Sequence, residues 1–348
     1  MPKVPIGVLL TDTHLTKNNT SDIEEVWKQC IDLCQDLKVR RIFHGGDMVT
    51  ARAAQPLNVL LSISNTIRAL DDADIEVDAI LGNHDLVNQE AFEGYPSIFD
   101  SKGFRIHGIH EILRSPGFGK VVIHMLSYFP EKGSYKDRVE AIKGQLDKDK
   151  FNLLITHVGI NGGLAHANAT TNKEVPAALF DGFDKVLVGH YHNQCQIEGY
   201  EIYYVGSTHQ QNFGEDVNKG FTILYDDGSH KFIKSEMPEY HTYRRAVEEA
   251  GGEFLHQIAT HKKKHSGDRI RVILTGDESK LKTIDKLAFA EVGTDRLQLK
   301  EESVAIRGEE RQASFVSFDK ELLIKEYGAF CVDQELEKEL GLDYLKAL

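Results

Sequence analysis

Leu81-Gly82-Asn83-His84-Asp85, arriving directly after the apolar run Val77-Asp78-Ala79-Ile80, is the stretch from which the rest of the chain can be read. The run suits a buried strand, and the Gly-Asn pair suits a turn, so the segment reads as a strand that breaks into a loop at its C-terminal end. An Asn carboxamide oxygen is a weak, neutral ligand. A His beside it points another way, so one residue can bind a metal while its neighbour meets a substrate. The tetrapeptide is also ordinary turn chemistry, and four other segments give it meaning.

Each of those segments ends an apolar run. Val4-Pro5-Ile6-Gly7-Val8-Leu9-Leu10 leads into Asp12 and His14, and a helical pattern with Ser21 or Asp22 as its cap follows over residues 21–38. Arg41-Ile42-Phe43-His44 leads into Gly45-Gly46-Asp47, and Leu57, Leu60, Leu61, Ile67 and Leu70 mark the next helix. Val121–Leu126 and Phe151–Ile155 read as further strands, with His157 closing the second, and a Gly-rich, His-bearing loop runs from Gly159 to Ala169. Lys185-Val186-Leu187-Val188 then runs into Gly189-His190-Tyr191-His192. Ile202–Val205 and Phe221–Tyr225 are expected as strands of a second sheet, with Asp227-Gly228 as the turn into His230–Lys234. Strands alternating with helices, then strands, indicate a layered α/β sandwich.

In an open α/β sheet the ligand crevice lies beyond the carboxyl ends of the strands, where Asp12, His14, Asp47, Asn83, His157, His190 and His192 all fall. Imidazole mixed with carboxylate suits Mn, Fe, Zn or Co rather than Ca, and these residues are too many for one tetrahedral ion. Two ions fit better. A carboxylate can bridge ions about 3.5 to 4 Å apart, and paired ions can activate a water and clamp a phosphoryl oxygen, which points to a phosphate ester as substrate.

At 348 residues and 41% hydrophobic content, the chain has room for a large α/β domain and an appendage. A signal peptide and a membrane span are not expected, since the sequence shows neither an N-terminal apolar segment with basic flanks nor a stretch of about 18 apolar residues. Cys30 and Cys34 lie one helical turn apart on an apolar face, and with Cys195 and Cys331 they lack zinc-knuckle spacing, so reduced cysteines in a cytoplasmic protein are expected. The formal net charge of -13 argues against a protein that holds nucleic acid with its whole surface. Near residue 240 the pattern changes: a helix-like segment ends in Lys262-Lys263-Lys264, Ile270–Leu274 reads as a strand, Ser279–Ala290 as a helix, and Asp319–Leu345 as a charged helix. The basic cluster is expected either to contact phosphates or to solvate a helix end.

Asp12-x-His14, Gly46-Asp47, Gly82-Asn83-His84-Asp85, His157 and Gly189-His190-x-His192 together resemble the five-part signature of calcineurin-like metallophosphoesterases. The resemblance covers roughly residues 4–235 and implies a four-layer α/β/β/α sandwich. It implies that Asp12, His14, Asp47 and His192 hold one ion and that Asp47, Asn83, His157 and His190 hold the other, with Asp47 bridging. His84 would be the catalytic histidine, and Asp85 would help to orient it. Tyr204-Val205-Gly206-Ser207-Thr208, Gln211-Asn212-Phe213-Gly214-Glu215 and Lys219-Gly220-Phe221 resemble the SbcD-type recombination and repair nucleases, including their bacteriophage relatives.

That second resemblance implies two Mn ions, DNA as substrate, a homodimer, an SMC-like ABC-type ATPase partner, no membrane association, and the cytoplasm (of the host, for a phage-encoded member). The expected domains are a nuclease domain over 1–240, a small α/β DNA-capping domain over 250–318 with Lys262, Lys263 and Lys264 as DNA contacts, and a helical docking segment over 319–348. Two departures stand out: the nucleases carry an aromatic and then His or Asp after Gly-Asp, where this chain has Met48-Val49-Thr50, and the tail after the capping domain is short, so Asp319–Leu345 reads equally as a solvated helix packing on its own domain. Three functions follow for comparison. The first is a two-metal DNA exonuclease and endonuclease, the second a phosphomonoesterase or small-molecule phosphodiesterase of the same fold, and the third a non-catalytic scaffold, which an intact ligand set disfavours.

Overall fold

The strand-then-helix rhythm of the first eighty residues builds one half of the molecule. In the computed structural model, which describes residues 2–88, 93–129, 134–163 and 174–301, β1 (Pro5–Leu10), α1 (Thr20–Leu37), β2 (Arg41–His44), α2 (Leu57–Asp72) and β3 (Glu76–Ile80) alternate as expected. A short hairpin follows, β4 (Leu86–Asn88) with β5 (Glu93–Gly94), then β6 (Phe104–His107), β7 (His110–Leu113), β8 (Val121–Leu126), α3 (Ser134–Lys143) and β9 (Phe151–His157). Next come β10 (Lys185–Gly189), β11 (Cys195–Gln196), β12 (Ile202–Tyr204), β13 (Gly220–Tyr225) and β14 (His230–Lys234). The last elements are β15 (Tyr240–Ala246), α4 (Gly252–Lys264), β16 (Arg269–Gly276), α5 (Glu278–Leu281), α6 (Lys286–Glu291) and β17 (Arg296–Glu301).

Two six-stranded sheets result, ordered β14-β13-β1-β2-β3-β6 and β11-β12-β10-β9-β8-β7. Both are buried on both faces, which is why their central strands read as unbroken apolar runs. Period-two alternation still sorts the side chains. Val8, Leu10, Ile42, Val77 and Ala79 face outward onto Ile23, Val26, Trp27 and Cys30 of α1 and Val59, Ile63 and Leu70 of α2. Leu9, Phe43 and Ile80 face inward onto Ile123, Met125, Leu153, Ile155 and Leu187 of the other sheet. Beyond that sheet, Leu126, Leu154, Val186 and Val188 pack with Val139 and Ile142 of α3. The order of layers is therefore helix, sheet, sheet, helix.

Three expectations need correction. Phe221–Tyr225 does not belong to the second sheet; β13 returns to the first and pairs antiparallel with β1 through Val8↔Ile223 and Leu9↔Thr222. Its residues are all buried, so the run carries no face preference from which a sheet could be chosen. Helix α1 starts at Thr20, and Asn19 rather than Ser21 or Asp22 stands at its N-cap. The Asn19 side chain faces back into the preceding loop, accepting from the Thr16 amide and donating to the His14 carbonyl. The helix expected over Ser279–Ala290 is broken into α5 and α6, because the Asp285 carboxylate accepts from the Leu287 and Ala288 amides and starts a new helix.

After β14 the chain builds a small parallel sheet, β15-β16-β17, covered by α4, α5 and α6. Ile270, Val272 and Leu274 pack with Phe254, Ile258, Leu281 and Phe289 to give it a core of its own. This sheet takes in Tyr240–Ala246, which the sequence expectation left largely between its two domains. Asp319–Leu345 lies outside the described residues. Cys30 and Cys34 are buried free thiols, and no described helix is long and apolar enough to cross a membrane.

One inward position of β3 is not apolar. Asp78 is fully buried and accepts from Arg105 Nε at 2.8 Å, with Arg41 and the His107 ring on the same carboxylate. Glu76 pairs with both guanidinium groups, closing a charged network across β2, β3 and β6.

Candidate metal centre

The loops after β1, β2, β3, β9 and β10 open at the same edge of the two sheets, and they bring together all seven strand-end residues singled out from the sequence. Reaching that point strains the backbone: Asp12, His14, Asp47 and His190 have positive φ, as do only Lys38 and Asp74 among the other described non-glycine residues. Such conformations cost about 1–3 kcal/mol each and persist where surrounding structure demands them. Glycines make the close approach possible. A Cβ at Gly82 would run into the Asp47 carboxylate and amide, and one at Gly189 would run into Thr11 Oγ1, the Gly45 carbonyl and His157 Nδ1.

The donor atoms fall into two adjoining sets, with Asp47 facing both and Asp12 lying close to Asp47 and His157 as well as to His14 and His192. In the first, His14 Nε2 lies 3.2 Å from His192 Nε2, 3.8 Å from Asp12 Oδ1 and 3.5 Å from Asp47 Oδ2. In the second, His157 Nε2 lies 3.2 Å from Asp47 Oδ2 and 3.2 Å from Asn83 Oδ1, and His190 Nδ1 lies 3.0 Å from Asn83 Oδ1. The same oxygen, Oδ2 of Asp47, thus faces both sets, while Oδ1 accepts from the His84 amide at 2.7 Å.

The chemistry of this donor set fits cations. Burial drives the His14 and His190 imidazoles down to about 3, against the pull of Asp47, so each ring can offer a nitrogen lone pair to a cation. Burial opposes charge on His157 too, but Asp47 and Asp12 outweigh it and raise that ring to about 9. Burial would raise Asp47, yet His157 and His14 hold it far below the usual carboxylate range, while burial keeps Asp12 raised. A proton trapped on an imidazole between two buried carboxylates is what a divalent ion displaces on binding.

Around these ligands runs a ring of hydrogen bonds that sequence reasoning did not assign. Glu215 Oε1 accepts from His192 Nδ1 at 2.9 Å, and the Gly45 carbonyl accepts from His157 Nδ1 at 2.8 Å. Gln211 Nε2 donates to the Asp12 carbonyl at 3.0 Å, and the buried Lys219 ammonium donates to Asn193 Oδ1 at 2.8 Å beside Glu215. Such partners fix the ring orientation of ligating histidines. Glu215 and Lys219 lie in segments quoted above for their resemblance, but nothing local in them names His192 as their target.

Thr50, at the position where the sequence departs from the nuclease pattern it resembles, has two contacts. Its Oγ1 lies 3.3 Å from His14 Nδ1, and its carbonyl lies 3.0 Å from His84 Nδ1. Asp85 is therefore not the group that orients His84. Its carboxylate accepts from the Gly82 amide at 2.8 Å and the Val49 amide at 3.0 Å, tying the third-strand loop to the second. Burial and Asp47 push Asp85 up to about 7, with those two amides opposing. His84 itself is part-exposed, its ring edge-on to His14 at 5.0 Å.

The loop carrying Gln211 and Glu215 also meets the small sheet. Arg271 lies over the Phe213 ring at 4.9 Å and donates to the Phe213 carbonyl at 3.1 Å. Tyr240 packs on the same ring at 4.9 Å, and its amide donates to Gln210 Oε1 at 2.8 Å. Between the metal centre and the small sheet lies a cleft of about 510 Å³ whose lining includes His14, Thr50, Gln211, Tyr240 and Arg269. Lys263 and Lys264 are exposed, whereas Lys262 is engaged within the small-sheet unit, donating to the Asp268 carbonyl and pairing with Asp295 at 3.6 Å.

A sandwich with metal-ligand residues at the strand ends defines a metallophosphoesterase, and residues 8–194 match the calcineurin-like phosphoesterase family, to which this chain belongs. Members of that family use two divalent ions. The chain is similar to the DNA double-strand break repair protein Mre11 of Haloferax volcanii, 27% identical over 224 residues, covering 61% of this chain and 47% of that protein. It thus spans about half the length of this curated relative. A solved structure of a dimetal phosphatase from Danio rerio aligns with a TM-score of 0.42 at 11% identity, covering 64% of this chain and 93% of that one.

Proposed function

We propose that this chain is a two-metal-dependent DNA nuclease, acting as exonuclease and endonuclease within a recombination and repair complex. The observation that carries the reading is the loop from Gly206 to Lys219, which joins the hydrogen bonds around the metal ligands to an appended α/β unit. Hydrolysis of a small phosphate ester needs only the strand ends. A polymeric substrate needs a second wall, and the cleft edged by Tyr240 and Arg269 supplies one. The similarity to a double-strand break repair protein supports the same choice.

In this reading Asp12, His14, Asp47 and His192 hold one ion and Asp47, Asn83, His157 and His190 the other, with Mn as the metal. Bound there, the ions supply Lewis acidity toward a phosphoryl oxygen and lower the pKa of a water. The His84 Nδ1–H donates a hydrogen bond to the Thr50 carbonyl, which leaves Nε2 free to face the leaving oxygen or the transition-state phosphate. Exposed Lys263 and Lys264 would meet phosphates, a local cationic element on an acidic chain. DNA, a second copy of the chain and an SMC-like ABC-type ATPase are the proposed partners, the last docking through residues 319–348, outside the described residues.

The test is Mn-dependent hydrolysis of linear and hairpin duplex DNA against p-nitrophenyl phosphate, with His84→Ala alongside. DNA cleavage that falls about 10²- to 10⁴-fold in the variant, with metal content unchanged, is expected. Turnover of the monoester alone would instead assign a phosphomonoesterase of the same fold.

A further inference from the structure

We infer that His241, His261 and Asp268 form a separate metal site in the cap, for a divalent ion of the zinc class. The three residues come from three elements: His241 from β15, His261 from α4 and Asp268 from the turn that enters β16. His241 Nε2 and His261 Nε2 converge on the same carboxylate oxygen, Oδ2 of Asp268, at 3.0 and 2.9 Å. The three donor atoms all lie within 4.8 Å of one another, and the imidazole centroids are 4.5 Å apart. A tetrahedral ion with bonds of about 2.0–2.1 Å sets neighbouring ligand atoms about 3.3 Å apart, so each imidazole–carboxylate edge would open by about 0.3–0.4 Å to take one.

The surroundings hold this convergence in place. Asp268 Oδ1 accepts from the Glu239 amide at 2.9 Å, which leaves Oδ2 aimed at the two rings. His261 Nδ1 lies 3.0 Å from the Tyr243 hydroxyl, the kind of outer partner that fixes the tautomer of a metal-binding histidine. Glu239 lies beside the group, its Oε2 3.6 Å from His241 Nε2 and its Oε1 paired with Lys234. Side-chain exposures of 29% for His241, 17% for His261 and 12% for Asp268 leave the site open to an ion yet mostly withdrawn from water. Two imidazoles with carboxylate oxygens and no thiolate suit zinc, cobalt or nickel and disfavour calcium and magnesium.

Its position gives the site a structural purpose. It pins β15, α4 and β16 together beside Glu239 and Tyr240, where the chain leaves the phosphoesterase sandwich and enters the cap. The full chain, saturated with zinc and desalted, should carry one more ion per molecule than His261→Ala treated alike, with both proteins folded by circular dichroism. Equal content would overturn the site. A measurement that needs no variant is anomalous diffraction at the zinc edge from crystals of the unaltered protein grown with zinc. A peak bonded to His241, His261 and Asp268 is expected, and density for three side chains sharing only protons would refute the inference.

Discussion

Replacing Thr50 by Val removes one hydroxyl and little else, because the two side chains share a shape. The lost group lies 3.3 Å from His14 Nδ1, a long hydrogen bond, while the Thr50 carbonyl that holds His84 belongs to the backbone and stays. A neutral hydrogen bond contributes about 0.5–1.5 kcal/mol net, and 1.4 kcal/mol is tenfold in affinity, so the ion held by His14 should bind about 2- to 12-fold more weakly. Since Asp47, His157 and Asn83 do not touch Thr50, the other ion should keep its affinity. Turnover at saturating Mn should remain within about twofold of the parent, because hydrogen bonding at His84 Nδ1 is unchanged. DNA hydrolysis followed across an Mn titration, together with calorimetric metal binding, reads both quantities. An unchanged metal dependence with depressed turnover at saturation would refute the assignment of the hydroxyl to His14.

Two further perturbations probe the site and the fold. Asp47→Ala should deplete both ions in metal analysis by mass spectrometry while His14→Ala depletes one, because a single Asp47 oxygen faces both donor sets; two full equivalents in purified Asp47→Ala would contradict bridging. Asp78→Ala should cost about 2–3 kcal/mol in urea unfolding, below the about 3–5 for a fully buried pair because Arg41 and Arg105 are partly exposed. Burial alone would raise Asp78, but His107, Arg105 and Arg41 hold it well below the usual range, so its contribution is complete above about pH 4 and drains away as acid protonates the folded carboxylate. The stability gap between parent and variant should therefore narrow only below that pH, and a gap that narrows on going from neutral to alkaline would point to another group.

The strand-end residues were legible because position and chemistry coincide: Asp12, Asp47, Asn83 and His157 each end an apolar run, and parallel strands deliver their ends to one edge. Thr50, Gln211 and Glu215 were not, since their partners lie 36, 199 and 23 residues away and a hydrogen bond across that distance leaves no local pattern. Asp85 shows the converse error. The resemblance implied a partnership with His84, but its carboxylate turns inward to the Gly82 and Val49 amides. β13 was recognisable as a strand yet not assignable to a sheet, because a run buried on both sides fits either one.

The loop that bears Phe213 between Gln211 and Glu215 couples two surfaces with different demands. Phe213 is held by Arg271 and Tyr240 of the cap, and Glu215, two residues on, holds the ring of His192. A graft of this cap onto another phosphoesterase would have to bring the loop with it. Conversely, a substitution at Phe213 chosen to loosen the cap would register first in the grip on His192, so cap geometry and the chemistry of one metal position cannot be tuned independently.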